Sequence, residues 1–384
     1  MLGSPSRALR ITAAVRRVGP SPLALLAATA ETHPRRVAWR DAAGQLTYAE
    51  VVRDLRRREI PPGRGPVTVR AADPRDLVLD VVAALAAGRA VAVLGARGGR
   101  LAAVTPVRPG VTFLTSGTTG APRAHSLRSG PAALRPYLGM IGRLPRLVAP
   151  TVASPSQPDH GHAFLLVLLT WALSGTYVQA TGPVGRVDVL SGVPVQLRDA
   201  LDAGWCDGAQ VVVSGSDVLD PALARRLRHD LGAAVWDAYG ATETGPVSLA
   251  TPVDVAAGTV GRPLPGVTVR ERDGVLQVTT AAMRQFLGDR GRIDDAGRLV
   301  LTGRADERVV SGGEVVNPER LREWLERLPG VRSARVAVVP DDRFGHRLTA
   351  TVVGGSLDPA AVRARIREDL GPAHVPVALV VEDC

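Results

Sequence analysis

One stretch near the middle of the chain constrains the fold more tightly than any other. Gln210 to Val213 is a short apolar run that reads as a strand. Asp220-Pro221 then supplies a helix cap and a proline suited to the first helical turn. Leu223, Leu227 and Leu231 repeat at four-residue spacing, and Gly232 stops the helix. Ala234 to Tyr239 is the next strand. A strand–helix–strand unit implies parallel pairing and therefore an α/β sheet. Ligands of such sheets collect beyond the carboxyl ends of the strands. At those ends the chain places Ser214-Gly215-Ser216-Asp217 and Gly240-Ala241-Thr242-Glu243. Both are small, polar and glycine-containing, as a binding rim requires.

The flanks can be organised around this unit. Leu23 to Ala30 reads as a surface helix at the start of a domain rather than a signal peptide, because it is short and Glu31 interrupts it. Leu46-Thr47-Tyr48-Ala49-Glu50 looks like a strand end running into a helix capped by Thr47. Leu77 to Ala87 reads as a buried helix and Ala90 to Leu94 as a strand. Near the end, Asn317-Pro318-Glu319 opens a helix to about Leu328, and Asp358-Pro359 opens another to about Leu370. Ala334 to Val339, Thr349 to Val353 and Val377 to Val381 read as strands. The expected class is α/β. A large multi-layer N-terminal domain with mixed and parallel sheets would cover 1–303, and a small mobile α+β domain 304–384. They would join at Gly303-Arg304-Ala305-Asp306, with the hinge near Asp306.

Composition narrows the function classes. The chain contains no lysine, so its net charge of +10 rests on arginine. Those arginines are interleaved with Asp and Glu, without the aromatic–basic alternation of a nucleic-acid surface, so no nucleic-acid partner is expected. The longest apolar stretch, Ala163 to Trp171, falls far short of the roughly 20 residues that span a bilayer, so no integral membrane segment is expected. Two cysteines, Cys206 and Cys384, suit a reduced compartment such as the cytoplasm.

The strongest chemical signal is Thr115-Ser116-Gly117-Thr118-Thr119-Gly120-Ala121-Pro122-Arg123, directly after the strand-like Val111 to Leu114. A loop this rich in Gly, Ser and Thr exposes the N–H groups and hydroxyls that wrap a triphosphate. Arg123 adds a planar fork that suits phosphate oxygens. It is not a P-loop, because no Gly-Lys-Ser/Thr follows.

This loop resembles the phosphate-binding signature of the adenylate-forming superfamily, which holds acyl-CoA and aryl-CoA ligases, peptide-synthetase adenylation domains and luciferases. Three further segments match in order. Asp237 to Gly245 resembles the tyrosine–glycine–threonine–glutamate motif. Gly288-Asp289 with Gly297 to Asp306 resembles the ribose-binding and hinge motifs, and Ser311 to Glu319 the loop that opens the mobile domain. The resemblance runs from about Pro22 onward. It is closest in flavour to bacterial fatty-acyl-CoA ligases, through Leu46–Glu50, Val193-Pro194-Val195-Gln196-Leu197 and Phe344-Gly345-His346-Arg347-Leu348.

The resemblance implies roles. ATP would be cupped by Thr115, Ser116, Gly117, Thr118, Thr119, Gly120 and Arg123. Glu243 would hold Mg²⁺ and Thr242 would contact a phosphate oxygen. Asp237, Tyr239 and Gly240 would border the adenine, with Gly215 the clear match in a segment where relatives carry Gly-Gly-Ala. Asp289 would accept both ribose hydroxyls, and Arg304 would reach the ribose or the α-phosphate. His160 would sit beside the substrate carboxylate, and Phe164 to Leu169 would line an apolar pocket or fill the core. The implied reaction is ATP-dependent activation of a fatty or aryl carboxylic acid to an acyl-adenylate. Transfer follows to coenzyme A or to the phosphopantetheine of an acyl carrier protein.

Two departures stand out. Arg123 occupies a position where relatives usually carry lysine. The chain stops at Val381-Glu382-Asp383-Cys384, before the segment in which relatives place a catalytic lysine. Loss of one preorganised donor typically costs on the order of 10²–10³ in rate, so an impaired first step is expected. A partial enzyme, a nucleotide- or acyl-binding pseudoenzyme, and ATP-driven amide or N–N bond formation are the alternatives on this fold.

Overall fold

The computed structural model describes residues 22–63, 65–70, 72–94, 110–115, 123–128, 131–241, 244–281, 286–306, 308–354 and 357–382. At its centre is an eight-stranded sheet. Its spatial order is Gly245–Ala250, Ala234–Ala241, Ala209–Gly215, Val187–Gly192, Thr151–Ser154, Thr176–Gln179, Val37–Asp41 and Gly44–Thr47. The inner neighbours pair in parallel, and only the two edge strands run antiparallel. The strand–helix–strand unit read from the sequence is the Ala209–Gly215 and Ala234–Ala241 pair with helix Pro221–Leu231. Asp220 caps that helix by accepting from the Ala222 N–H, and Gly232 ends it in the left-handed conformation.

A second, four-stranded sheet holds Val67–Val69, Val91–Val93 and Gly110–Thr115 in parallel, with Arg123–Arg128 antiparallel at its edge. A large apolar cluster lies between the two sheets and buries Phe113, Phe164, Val167, Trp39 and Tyr177. Phe164 and Val167 therefore fill core rather than line a pocket. Helix Tyr48–Arg57 starts at Thr47 with a full capping box to Glu50.

An antiparallel sheet of Thr268–Arg272, Val275–Thr279, Phe286–Ile293 and Leu299–Arg304 follows. Beyond it the hairpin Val309–Ser311 and Glu314–Val316 leads to the sheet Ser333–Asp341, Gly345–Val353 and Ala378–Glu382. Helices Pro318–Glu326 and Pro359–Asp369 contribute Leu321, Leu325, Val362 and Ile366 to a separate apolar cluster with Leu348, Ala350 and Val352 of that sheet. Among the described residues no helix is long and apolar enough to cross a membrane.

Candidate active site

The site forms where the parallel strands end. Ser214 and Gly215 pair in register with Asp237 and Ala238. A Cβ on Gly215 would lie 3.2 Å from the Ala238 oxygen and 3.6 Å from His162 Cε1, so the rim tolerates little more than hydrogen there. Just beyond, the strand slips register between Tyr239 and Gly240. A Cβ on Gly240 would meet the Gly245 oxygen at 2.4 Å, which makes glycine obligatory at this bulge.

The slip leads Tyr239 toward the antiparallel sheet, where Asp289 and Arg304 face each other across neighbouring strands. The Tyr239 hydroxyl donates to Asp289 Oδ2 at 2.6 Å, and Arg304 Nη1 donates to Asp289 Oδ1 at 2.9 Å. Arg304 also grips Asp306 through Nε at 3.1 Å and Nη2 at 3.0 Å, and Arg308 Nε reaches Asp306 at 2.6 Å. Burial opposes the Arg304 charge, but Asp306 and Asp289 outweigh it and hold the guanidinium pKa above its usual value. Burial, reinforced by the Asp289 charge, holds the Tyr239 phenol far above its ordinary pKa, so it acts as a donor. A carboxylate offers about four lone-pair sites, so Asp289 keeps acceptor capacity beyond its two internal bonds.

The opposite flank is less satisfied. Ser214 Oγ and Asp237 Oδ1 are shielded from solvent and make no hydrogen bond. Burial pushes the Asp237 carboxyl up to about 7, aided by the Asp217 charge and opposed by the Ser214 hydroxyl dipole. Above the rim, His160 occupies the cap position of helix Gly161–Ala172, half-exposed, with Nδ1 2.6 Å from Asp159 Oδ1. It is His162, one turn-step further, that points at Gly215 and lies 3.5 Å from Ser191 Oγ. Burial keeps that imidazole below its usual pKa, with the His160 charge adding to the effect.

Among the residues singled out from sequence, Tyr239, Asp289, Arg304 and Asp306 are brought together, and Gly215, Asp237 and Gly240 border the same rim. Thr115 and Arg123 are register partners at the open end of an antiparallel strand pair. Ser116, Gly117, Thr118, Thr119 and Gly120 lie outside the described residues, as do Thr242 and Glu243. Among the described residues no cluster of His, Cys, Asp and Glu could hold a metal ion. Three residues were missed in the sequence. His162 carries no sequence signal that separates it from His160. Tyr137 packs so near Gly245 that a Cβ there would lie 2.9 Å from its hydroxyl, and burial pushes that phenol up to about 12. Asp217 accepts from the backbone N–H of Gly313 at 2.9 Å, across the seam to the C-terminal unit.

Comparison with known proteins gives a consistent picture. A family described as AMP-binding enzyme matches residues 101–279. A 3-[(3aS,4S,7aS)-7a-methyl-1,5-dioxo-octahydro-1H-inden-4-yl]propanoyl:CoA ligase of Rhodococcus jostii is 29% identical, over 72% of this chain and 62% of the relative. A sulfoacetate–CoA ligase of Cupriavidus necator is 27% identical, over 71% and 63%. The chain thus spans a little over three-fifths of the length of these two relatives. Among solved structures, the amide bond synthetase McbA of Marinactinospora thermotolerans superposes with a TM-score of 0.74 at 23% identity, over 93% of this chain and 95% of that one. An o-succinylbenzoate CoA synthetase of Bacillus subtilis superposes with a TM-score of 0.77 at 17% identity, over 93% and 94%. The ordered motifs, the α/β architecture and these matches agree: residues 101–279 match the AMP-binding enzyme family, and the chain is similar to CoA ligases of the adenylate-forming superfamily.

Proposed function

We propose that this protein uses ATP to activate a carboxylic acid as an acyl-adenylate and then passes the acyl group to the thiol of coenzyme A. The observation that carries the reading is the convergence of Tyr239, Asp289 and Arg304 at the end of the parallel sheet. A carboxylate fixed by a phenol and a guanidinium, with acceptor capacity left, is suited to the two hydroxyls of a ribose. The rim segments that carry Gly215 and Gly240 border it and are assigned to the base. Arg304 supplies a cation that can also lie against an α-phosphate.

In the first step a carboxylate oxygen attacks the α-phosphorus in line, and pyrophosphate leaves. Residues 115–123 are assigned to the triphosphate. Glu243 is the assigned Mg²⁺ ligand, and the bound ion would neutralise phosphate charge. His160 at the cap of helix Gly161–Ala172, or the buried His162 two residues on, would hold the acid against the rim, and the proximity of His162 to Gly215 favours the second. In the second step the thiol attacks the mixed anhydride and AMP departs, with the C-terminal unit turning about Asp306. The acid is fatty or aryl, the setting is cytoplasmic, and a carrier protein's phosphopantetheine is the second candidate acceptor.

The test is direct. The protein is incubated with ATP, Mg²⁺ and a panel of fatty and aryl acids, and pyrophosphate is measured. Release that requires both acid and ATP supports the reading. Thioester formation only from a synthetic acyl-adenylate would restrict the protein to the second step. Nucleotide binding with silence in both assays would make it a binding protein and overturn the proposal.

A further inference from the structure

The seam between the sheet rim and the C-terminal unit carries a contact that neither half-reaction by itself explains. Asp217 follows Ser216, a non-glycine residue held at φ +67°, at the end of strand Ala209–Gly215. Its Oδ1 accepts from the Val218 N–H at 2.8 Å, within its own loop. Its Oδ2 accepts from the Gly313 N–H at 2.9 Å, on the turn between Val309–Ser311 and Glu314–Val316. That turn is pressed against the large unit. A Cβ on Gly313 would lie 2.7 Å from Val193 Cγ1, and one on Gly312 would lie 2.8 Å from Phe344 Cδ1 and 3.6 Å from Val195 Cγ1. Both glycines also hold positive φ, so the turn is shaped to bring backbone, not side chain, onto the rim. The Gly312 N–H donates to the Phe344 oxygen at 3.0 Å, which ties the turn to the strand carrying His346.

We propose that Asp217 is a positioning residue: by capturing the Gly313 N–H it holds the Gly312–Gly313 turn against the rim in the pose used for transfer of the acyl group to the thiol. This rests on the function proposed above. Neighbouring seam contacts are weaker holds. The Arg343–Asp199 pair, 2.8 Å apart, has both partners largely exposed, and such pairs contribute little. A half-buried carboxylate accepting a backbone N–H is a stronger and more directional tie. It is also reversible, because Asp217 can surrender its one bond to the turn when the units rotate and remain bound to the Val218 N–H. Burial raises the Asp217 pKa, with His346 opposing, and Asp237 is the other carboxylate close by.

The experiment uses the full chain, unaltered and as Asp217→Ala and Asp217→Asn. Amide hydrogen exchange of the segment 311–316 reads the docking. Single-turnover thioester formation from a synthetic acyl-adenylate and coenzyme A reads the transfer, and AMP affinity is the control. For Asp217→Ala, exchange should rise and transfer should fall by roughly tenfold or more, while AMP affinity stays within about twofold. Asp217→Asn, which keeps an acceptor oxygen, should recover part of both. Unchanged exchange in Asp217→Ala overturns the tie. Faster exchange with unchanged transfer overturns the positioning role, and a parallel loss of AMP binding makes Asp217 a structural residue and overturns it equally. If the unaltered protein forms no thioester, the function proposed above fails, and the exchange measurement still decides whether Asp217 holds the turn.

Discussion

The two flanks of the rim handle burial in opposite ways. On the Asp289 flank every charge has a partner: Tyr239 and Arg304 share Asp289, and Arg304 and Arg308 share Asp306. On the opposite flank Ser214 Oγ and Asp237 Oδ1 are buried without partners, and the Asp237 carboxyl is pushed up to about 7. A closed network is preorganised and costs little to use. Unpaired buried groups destabilise by about 1–3 kcal/mol each. The difference teaches that the first flank is satisfied within the fold, whereas the second carries the desolvation cost of buried polar atoms.

The largest expected effect comes from breaking the satisfied flank. Asp289→Ala strips Tyr239 and Arg304 of their shared acceptor, and AMP affinity measured by calorimetry should fall by roughly 10²–10³, two charged hydrogen bonds' worth. Unchanged affinity would erase the contrast.

The unsatisfied flank should show itself through pH. Burial holds the Asp237 pKa up to about 7 in the fold, whereas the unfolded chain ionises near the ordinary carboxylate value of 3.8. The folded state therefore holds the extra proton, and stability is lost as pH rises between those values. Asp237→Asn should remove that loss, gaining relative to the parent by up to about 4 kcal/mol at pH 8 against pH 4 in denaturant titrations.

His374, in the C-terminal unit, works in the reverse direction. Burial, with the Arg320 charge adding to it, lowers its pKa to about 4, and its Nε2 accepts from the Asn317 N–H at 3.4 Å. Here the unfolded state takes the proton first, so stability is lost as pH falls from about 6.5 to about 4. His374→Phe should flatten that loss by about 3 kcal/mol at most. Equal pH profiles for both variants would contradict the assigned signs. The smallest effect is expected from Ser214→Ala, which should stabilise the protein by about 1 kcal/mol in the absence of ligand, because the hydroxyl it removes has no partner.

Much of the fold was legible from local chemistry. Asp220 and Gly232 announce the ends of a helix because capping oxygens and left-handed glycines act within a turn. Thr47 and Glu50 announce another in the same way. The motif order placed Tyr239, Asp289, Arg304 and Asp306 in one site, although 50 residues separate the first two. What stayed hidden depends on tertiary placement. His160 and His162 are alike in sequence, and only the direction of helix Gly161–Ala172 against the sheet decides which faces Gly215. The Asp217–Gly313 bond spans 96 residues and leaves no local pattern. Phe164 and Val167 read equally well as pocket or core until the two sheets closed over them.

The account stands most directly on the grip of the ribose by Asp289. Calorimetric titration of the unaltered protein with AMP and with 2′,3′-dideoxy-AMP isolates that contact. The account predicts that losing both hydroxyls weakens binding by roughly 10²-fold or more, and that Asp289→Ala binds the two nucleotides alike. Equal affinity of the unaltered protein for both nucleotides would contradict it.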